Sequence, residues 1–515
     1  MLWTLSTLYM SKTNITIIGG GACGISAFVE LFLQLRIAGF HKSISITIIE
    51  ENKEVGKGLA FGTSQPGHIL NTQADLMGIH VDEPEHFSDW LIENESQVGS
   101  EVVDNQGQQE AFATRRLYGD YLKSQFEHYL QLAEKEGMQV SVIHAEADRI
   151  SNLKSGFKIH LADGKSHQSD FVLLAPGTPI ANNYAELEEH STYFASPWPS
   201  APLLKKIPKD AQVGILGSSL SAIDALMTLE DSGYTGKITC YSLDGLLPRV
   251  QPDDQLMPER KYITLRNLHE IQRTKLRRPT VKDMLRLFMK EAEDLEGEKI
   301  DWKATARTGK DAATLLKADI ALAKKGGDAL TNIPYSLRYD STQMWKWLEE
   351  SEKLKFKKWL GGLWGINRHC MPLVNAKRIA QLFSDNRLSI IPNLASVDFD
   401  KKSKSFKLTY GKEQLANEKY LINATGPASA VKMMKSELIQ NLAKDELIEP
   451  DPVGGIRINP DTMQVTVDGK STSGFYAVGH ITNGMLLDVN AVWFNVQMIG
   501  KLCRHLTSEI IGKPA

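Results

Sequence analysis

The chain contains little cysteine, with four residues among 515: Cys23, Cys240, Cys370 and Cys503. They lie far apart and form no C-x-x-C pair, which argues against a zinc knuckle and against a disulfide framework. The simplest expectation is therefore a reduced, cytoplasmic protein.

Long apolar runs are also lacking. No uninterrupted run approaches the roughly 18–20 residues that a membrane helix needs, so we expect no membrane span. The first ten residues have no basic start and no small-residue cleavage site, so they do not predict a signal peptide, and we expect residues 1–13 to form a flexible extension. The net charge of −3 gives no reason to expect a nucleic-acid partner.

A glycine-rich turn between two apolar strands is the most informative feature present. Gly19, Gly21 and Gly24 fit G-x-G-x-x-G after a short β-branched strand, and a second apolar strand ends at Glu50. Such glycines permit a tight turn, the approach of a pyrophosphate and close packing of helix on strand. The helix that follows directs free N–H groups at the phosphates, and Glu50 would accept hydrogen bonds from the adenosine ribose. The pattern predicts a dinucleotide site.

The order of motifs predicts an α/β protein with more than one domain, since 515 residues exceed one ordinary core. A second β-α-β pattern begins near residue 212, and a mainly helical region follows it. We expect a discontinuous first Rossmann-like domain over 14–182 and 394–515, an inserted second Rossmann-like unit over 183–252, and a helical block over 253–393. This arrangement is typical of flavoproteins with two dinucleotide-binding domains.

Three strand ends carry small residues that let the backbone pass close to a cofactor. They are Ala175-Pro-Gly177, Ala424-Thr-Gly426 and Tyr476-Ala-Val-Gly479. Each is a common turn by itself, but downstream of an intact G-x-G-x-x-G they favour a flavin site. Many flavoproteins place aspartate after the last of these glycines, whereas this chain has His480.

Taken together, the motifs resemble those of FAD/NAD(P)-binding flavoproteins, a group related to the flavin monooxygenases that N-hydroxylate amino acids. The similarity covers most of residues 14 to 505. It rests on Ile17-Ile-Gly-Gly-Gly-Ala-Cys-Gly24, Gly58-Leu-Ala-Phe-Gly-Thr63, His68-Ile-Leu-Asn71, Pro84-Glu-His-Phe-Ser-Asp-Trp90, Arg115-Arg-Leu-Tyr-Gly-Asp-Tyr-Leu122, Gly217-Ser-Ser-Leu-Ser, Gly245-Leu-Leu-Pro-Arg249, Ile422-Asn-Ala-Thr-Gly-Pro427 and Ala477-Val-Gly479.

The resemblance implies that FAD binds at the first glycine turn, with its ADP half held by the three glycines and Glu50. It also implies that His68, Asn71 and Arg115 lie beside the isoalloxazine or the pyrophosphate. The alternatives to cofactor binding are structural: Asn71 would cap a turn, and Arg115 would form a surface ion pair. Asp488 stands where a helix should begin under the flavin, so it either caps that helix or reaches the cofactor.

The second nucleotide unit departs from the usual pattern. Gly217 is followed by Ser219 where the middle glycine belongs, and Asp244 stands in the turn where NADPH users commonly carry arginine. A carboxylate there would repel the 2′-phosphate. The sequence therefore favours NADH over NADPH, or else a decayed site that binds neither. Asp224, on the helix of this unit, reads as a solvated helix residue.

The helical block offers one candidate for substrate binding. Arg368 suits bidentate pairing with a substrate carboxylate. The resemblance implies that this block packs over the flavin and shapes substrate access, although Trp345 and Trp359 at helical spacing are more simply core residues.

The leading functional hypothesis is an FAD-dependent oxidoreductase, most simply a nicotinamide-dependent monooxygenase that uses O₂ to hydroxylate a small amine or amino acid. No side-chain nucleophile, metal cluster or triad is needed, because the oxygen chemistry belongs to the flavin. An NADH:acceptor oxidoreductase without oxygen insertion is one alternative. A non-catalytic FAD-binding scaffold or sensor is another. The sequence leaves the oligomeric state open.

Overall fold

The computed structural model describes residues 12–98, 102–103, 112–252 and 256–512 of the chain. The expected N-terminal extension falls almost entirely on residues 1–11, which lie outside the described residues. Within the described part the chain forms strands and helices that alternate at both ends and helices alone in the middle.

The strands in the described part are Thr13–Ile18 (β1), Ile44–Ile49 (β2), Val102–Val103 (β3), Phe112–Ala113 (β4), Gln139–Ile143 (β5), Ala147–Asn152 (β6), Phe157–Leu161 (β7), Ser166–Ser169 (β8), Phe171–Leu174 (β9), Tyr193–Phe194 (β10), Val213–Leu216 (β11), Ile238–Tyr241 (β12), Leu388–Ile391 (β13), Leu394–Asp400 (β14), Ser405–Tyr410 (β15), Gln414–Glu418 (β16), Tyr420–Asn423 (β17), Gln464–Val467 (β18) and Lys470–Ala477 (β19).

The helices in the same ranges are Ala22–Ile37 (α1), Gly58–Phe61 (α2), His86–Glu93 (α3), Glu95–Val98 (α4), Arg115–Glu136 (α5), Ala201–Lys206 (α6), Leu220–Asp231 (α7), Leu265–Lys275 (α8), Val281–Glu296 (α9), Ala312–Ala323 (α10), Ala329–Ser336 (α11), Ser341–Trp347 (α12), Glu350–Trp359 (α13), Gly361–Arg368 (α14), Leu373–Ser384 (α15), Glu437–Lys444 (α16) and Val492–Gly512 (α17).

The first sheet has the strand order β18-β19-β9-β1-β2-β5, and all its neighbours are parallel except β18 and β19. Its central strands are apolar and β-branched because helices and a small second layer bury both faces. Ile15 pairs with Ile46 and Ile17 with Ile48, and these four side chains are fully buried. The helices α1 and α17 pack against each other beside this sheet. The parallel order brings the carboxyl ends of β1, β9 and β19 to one edge.

The second sheet has the order β10-β17-β11-β12-β13 and is parallel throughout. Apolar residues of α7, α10 and α15 form a core with its strands. β17 lies here, although the sequence analysis expected residues from 394 onward to return to the first sheet. β13 also lies here, although the sequence analysis placed it in the helical block. Only β18 and β19 return to the first sheet. The difference arises because β9 and β17 are equally short and apolar, so their pattern does not specify a sheet.

Residues of helices α8, α9, α11, α12 and α14 form a separate core around Leu268, Ile333 and Met344. Helix α10, in contrast, packs with the second sheet. Trp345 is almost fully buried, while Trp359 is 63% exposed, so only the former is a core residue. Among the described residues no helix is long and apolar enough to span a membrane. The same residues contain no group of histidine, cysteine and carboxylate side chains suited to a metal ion.

Candidate functional site

The first glycine turn joins β1 to α1 and depends on two glycines for its packing. Gly19 has a positive φ of 105°, and a Cβ there would overlap the carbonyl oxygen of Ala175 at the end of β9. A Cβ at Gly24 would overlap the Gly19 carbonyl oxygen. These two glycines therefore allow neighbouring backbone segments to pack closely, as the motif predicts.

Gly21 differs, because the space beside it is open. It is the N-cap of α1, with φ −80° and ψ −166°, and no side chain caps the helix. A Cβ there would find nothing nearer than the Gly58 Cα at 4.0 Å. Uncapped N–H groups at the start of a 16-residue helix beside open space form a cradle for an anion. The residues present therefore fit the pyrophosphate of a dinucleotide.

Glu50 holds this turn together. Its Oε2 accepts a hydrogen bond from the Gly20 N–H at 2.7 Å, and its Oε1 accepts from the N–H and the side-chain amide of Asn52 at 2.9 and 2.7 Å. A carboxylate offers about four acceptor sites, so capacity is left for ribose hydroxyls. The side chain is buried, which fixes its orientation beside the expected adenosine position.

Gly177 and Gly479 lie at the same edge of the first sheet. They follow β9 and β19, and both have positive φ, 73° and 86°. A Cβ at Gly479 would meet the Cys23 Sγ at 3.6 Å, which places the late glycine against the first turn of α1. Burial raises the pKa of Cys23 to about 12, so the thiol stays protonated near neutral pH and has no nucleophilic thiolate.

The second glycine turn, between β11 and α7, repeats the backbone of the first. Gly217 has φ 103° beside the carbonyl oxygen of Ala424, just as Gly19 lies beside Ala175. Ser219 is the N-cap of α7, with φ −93° and ψ −162°, close to the values at Gly21. This is extended backbone that any residue adopts. Gly426, at φ 90°, therefore lies beside the second turn, whereas Gly177 lies beside the first.

The residues after β12 differ from those after β2. Ser242 takes the position of Glu50, and its hydroxyl accepts from Ser218 Oγ at 3.0 Å and from the Gly245 N–H at 3.0 Å. Asp244 accepts from the Leu246 N–H at 3.1 Å. Arg249, the next basic residue, is buried in ion pairs with Asp319 and Asp328 at 3.1 and 2.8 Å, so its charge is already compensated.

His68 and Arg115 connect the first unit to helix α7 of the second. The His68 Nδ1 is 2.8 Å from Thr63 Oγ1, and its Nε2 is 2.9 Å from both the Asp224 carbonyl oxygen and Thr228 Oγ1. Arg115 pairs with the Asp224 carboxylate at 2.5 Å. Burial lowers the pKa of His68, which favours the neutral ring. Whether either residue also meets a cofactor stays a prediction.

Asn71 and Arg368 line one cleft, although they are far apart in the chain. The cleft lies between the first unit and the helical block. Its walls are mainly polar, with two guanidinium groups and no carboxylate among the described lining residues, which are Asn71, Thr72, Gln73, Leu76, Gln251, Thr331, Tyr335, Arg338, Asn367, Arg368, Cys370 and Trp493.

Asp488 lies behind this cleft and not at its surface. Its Oδ2 accepts from Ser341 Oγ at 2.6 Å, and its Oδ1 is 3.9 Å from Arg368 Nε. The Arg368 side chain lies over the Trp493 ring at 5.9 Å. Burial and the neighbouring Arg368 charge lower the pKa of His369 to about 4, so this ring is neutral near pH 7.

Two residues of these clusters were missed by sequence reasoning. Asp224 reads as a solvated helix residue but is 3% exposed, and its apolar neighbours Ile223 and Ala225 were the available signal. Arg338 carries no sequence signal at all, because only the packing of the helical block brings it to the cleft.

Comparison with known families gives a direct match for the first unit. Residues 16–179 match a family described as FAD-NAD(P)-binding. The curated protein YdhS of Escherichia coli (strain K12), described as uncharacterized, is 27% identical over 228 residues. That match covers 42% of this chain and 39% of YdhS, so it spans about two fifths of that relative's length.

Solved structures resemble the whole chain in fold. The L-lysine 6-monooxygenase from Pseudomonas syringae and the ornithine N-hydroxylase of Kutzneria sp. 744 are each 12% identical, with TM-scores of 0.58 and 0.57. Both matches cover 97% of this chain and 100% of the other. Ornithine hydroxylase from Pseudomonas aeruginosa is 14% identical, with a TM-score of 0.55, over 97% and 99%.

The solved structures confirm the expected α/β architecture with two dinucleotide-binding domains, and the family match agrees with the expected FAD/NAD(P)-binding resemblance over residues 16–179. At such low identities the structural likeness establishes the fold alone. The family match adds the cofactor class for residues 16–179, which is FAD or NAD(P).

Proposed function

We propose that this FAD/NAD(P)-binding flavoprotein is a nicotinamide-dependent monooxygenase that hydroxylates a small amine or amino acid in the cleft lined by Asn71 and Arg368. The observation that carries the proposal is the meeting of these two side chains in one cleft, in a chain whose first glycine turn leaves an open, uncapped helix start for a dinucleotide. Arg368 would hold a substrate carboxylate, and Asn71 would hydrogen-bond the flavin edge or the nicotinamide.

The cofactor would be held by residues of the first unit. The uncapped start of α1 at Gly21 would bind the pyrophosphate, and Glu50 would bind the ribose hydroxyls. When bound, FAD supplies electron transfer from the nicotinamide coenzyme and activation of O₂. The chain's own residues bind, orient and exclude water. Tyr335, Leu76 and Trp493 provide the apolar part of the cleft wall.

We propose further that the second turn binds NADH in preference to NADPH. The turn after β12 carries Asp244 and no basic residue, and the guanidinium of Arg249 is already paired. A 2′-phosphate would therefore meet a carboxylate without a cation to offset it. The backbone match between Ser219 and Gly21 supports a working coenzyme site over a decayed one, because serine introduces no backbone strain there.

The test is to follow flavin absorbance and oxygen consumption of the FAD-loaded protein. We expect NADH to bleach the flavin without oxygen, and an aerobic screen of amines and amino acids to find one that gains a single oxygen atom by mass spectrometry. The variant R368K should still be reduced by NADH but should show a higher KM for that substrate, because a point charge replaces a planar fork.

Two outcomes would contradict the proposal. One is that NADH bleaches the flavin while all the oxygen consumed appears as hydrogen peroxide, or while the electrons pass to another acceptor. In either case the protein is an acceptor oxidoreductase without oxygen insertion. If neither NADH nor NADPH bleaches the flavin, both enzyme hypotheses fail and an FAD-binding scaffold or sensor is left.

A further inference from the structure

Two segments of the chain carry strong charge of opposite sign. Residues 265–290 contain eight lysines and arginines against two acidic residues, while residues 82–98 contain six aspartates and glutamates and no lysine or arginine. The first segment forms α8 and most of α9 in the helical block, and the second includes α3 and α4 in the first unit. The net charge of the whole chain is only −3, so the two signs are separated on the surface and not simply in excess.

The exposed face of α9 carries a row of three cations. Lys282, Arg286 and Lys290 follow each other at intervals of four residues, so they lie along one side of the helix about 6 Å apart. All three are exposed, and none forms an ion pair within the part of the chain that the structure describes. Like charges at this spacing destabilise a helix, and a lysine in the first turn also opposes the helix dipole. Contacts within α9 therefore do not account for the row.

The exposed face of α3 carries a matching row of acids. Glu85 directly precedes the helix, and Asp89 and Glu93 lie on it with the same spacing of four residues. They are exposed as well, and none of these carboxylates has a cationic partner among the described residues. Glu93 is the last residue of α3, where the helix dipole disfavours an acid. The two rows thus agree in number and spacing and are opposite in sign.

Each row has an exposed apolar side chain beside it. Leu285, between the first two cations, is 39% exposed, and Ile92, between the last two acids, is 45% exposed. A groove along α9 has Ile271, Leu287 and Met289 among its lining residues, and its described lining includes no aromatic ring on which a nucleic-acid base would stack. Apolar side chains surrounded by charges are the usual composition of a protein–protein interface.

We propose that these two faces bind each other between two copies of the chain, with the α9 row of one copy against the α3 row of the other. The two rows form no ion pair with each other in the described structure of one copy, so both are open to a partner. A second copy accounts for both rows, whereas an anionic lipid surface would leave the acidic row without a partner. Because the contacting faces differ, the contact is heterologous. This inference does not depend on the proposed function.

The experiment is sedimentation velocity of the FAD-loaded full chain over a wide range of protein concentration. We expect association that rises with concentration at low salt and is lost at about 1 M salt, where the screening length falls to about 3 Å. The variant K282E/R286E/K290E, called the α9 variant, should associate more than about tenfold more weakly, since each attractive pair becomes a repulsive one.

A charge exchange gives the most specific measurement. The α3 variant, E85K/D89K/E93K, should also associate weakly by itself, because both of its rows are then positive. An equal mixture of the α3 and α9 variants should recover association, since each supplies the row that complements the other. Misfolding of either variant would not produce this recovery, and circular dichroism and flavin content check the fold of each.

The matched control is K401E/K402E/K404E, which reverses three exposed lysines in the turn between β14 and β15. It changes the net charge by the same amount as the α9 variant and should associate like the unaltered chain. A chain that is monomeric at low salt overturns the proposal, as does association that survives either reversal or a mixture that stays monomeric. A monomeric chain that binds vesicles of phosphatidylcholine and phosphatidylglycerol through the α9 row would also overturn it, and would assign that row to anionic lipid.

Discussion

The two glycine turns have nearly the same backbone and different side chains. Gly19 and Gly217 differ by 2° in φ, and each lies beside the carbonyl oxygen of an alanine on the adjacent strand. At the N-cap the first turn has Gly21 and the second has Ser219, and after the second strand the first has Glu50 and the second Ser242. The shared backbone is what the β-α-β unit requires, so ligand choice lies in the side chains.

The comparison between the two turns is tested most directly by placing valine at both N-cap positions, 21 and 219. Gly21→Val should fold, because the space beside Gly21 is open. Its affinity for FAD should fall by more than about tenfold, since the valine side chain fills the space expected for the pyrophosphate. Ser219→Val should keep its flavin and lose reduction by NADH. Flavin absorbance of the purified proteins, with circular dichroism, checks both.

A yellow Gly21→Val protein would show that FAD does not bind at the first turn. Conversely, a colourless Ser219→Val protein would mean that the second turn also supports flavin binding. Gly19→Val serves as the reference for misfolding, because its side chain would overlap the Ala175 carbonyl oxygen.

The next largest effect should come from the ion pair that joins the two units. Asp224→Asn leaves the Arg115 guanidinium without its carboxylate in a buried position, where such a loss costs about 3–5 kcal/mol of unfolding free energy. Asp445→Asn breaks the exposed pair with Arg149 and should leave the free energy of unfolding almost unchanged, because solvent screens the pair. Urea denaturation measures both. Equal midpoints for the two variants would show that the buried pair does not stabilise the junction.

The smallest expected effect concerns coenzyme choice at the second turn. Asp244→Arg should change the ratio of kcat/KM for NADH and NADPH by about tenfold towards NADPH, because a cation replaces a carboxylate beside the expected 2′ position. Stopped-flow reduction with each coenzyme gives the ratio. The neutral variant Asp244→Asn should lie between the two, and no change in either variant would place the ribose elsewhere.

Much of the first site could be predicted from the sequence. Gly19, Gly21, Gly24 and Glu50 lie within one β-α-β unit, where strand, turn and helix fix the geometry over a short stretch of chain. The family match over residues 16–179 includes the same stretch. The second site was harder to predict from the sequence. Ser219 replaces the usual glycine there, and the effect of that replacement depends on backbone angles that the sequence does not reveal.

Sheet membership and long-range pairing could not be read from the chain. The strand Tyr420–Asn423 has the composition of any buried parallel strand, and only its register against Val213–Leu216 places Gly426 beside the second turn. Likewise, Arg115 was expected near a flavin or in a surface pair, while in the structure it joins the two units through Asp224. Both outcomes depend on contacts between distant segments.

The sequence by itself determined that a dinucleotide turn forms near residue 20, because the steric need for Gly19 and Gly24 is local. Only the tertiary structure decided which side chains line the cleft. Arg338 and Arg368 come from separate helical segments, Asn71 comes from the first unit, and Asp488 behind the cleft precedes the last helix. Packing of these distant segments brings the side chains together, and no local pattern in the chain records that contact.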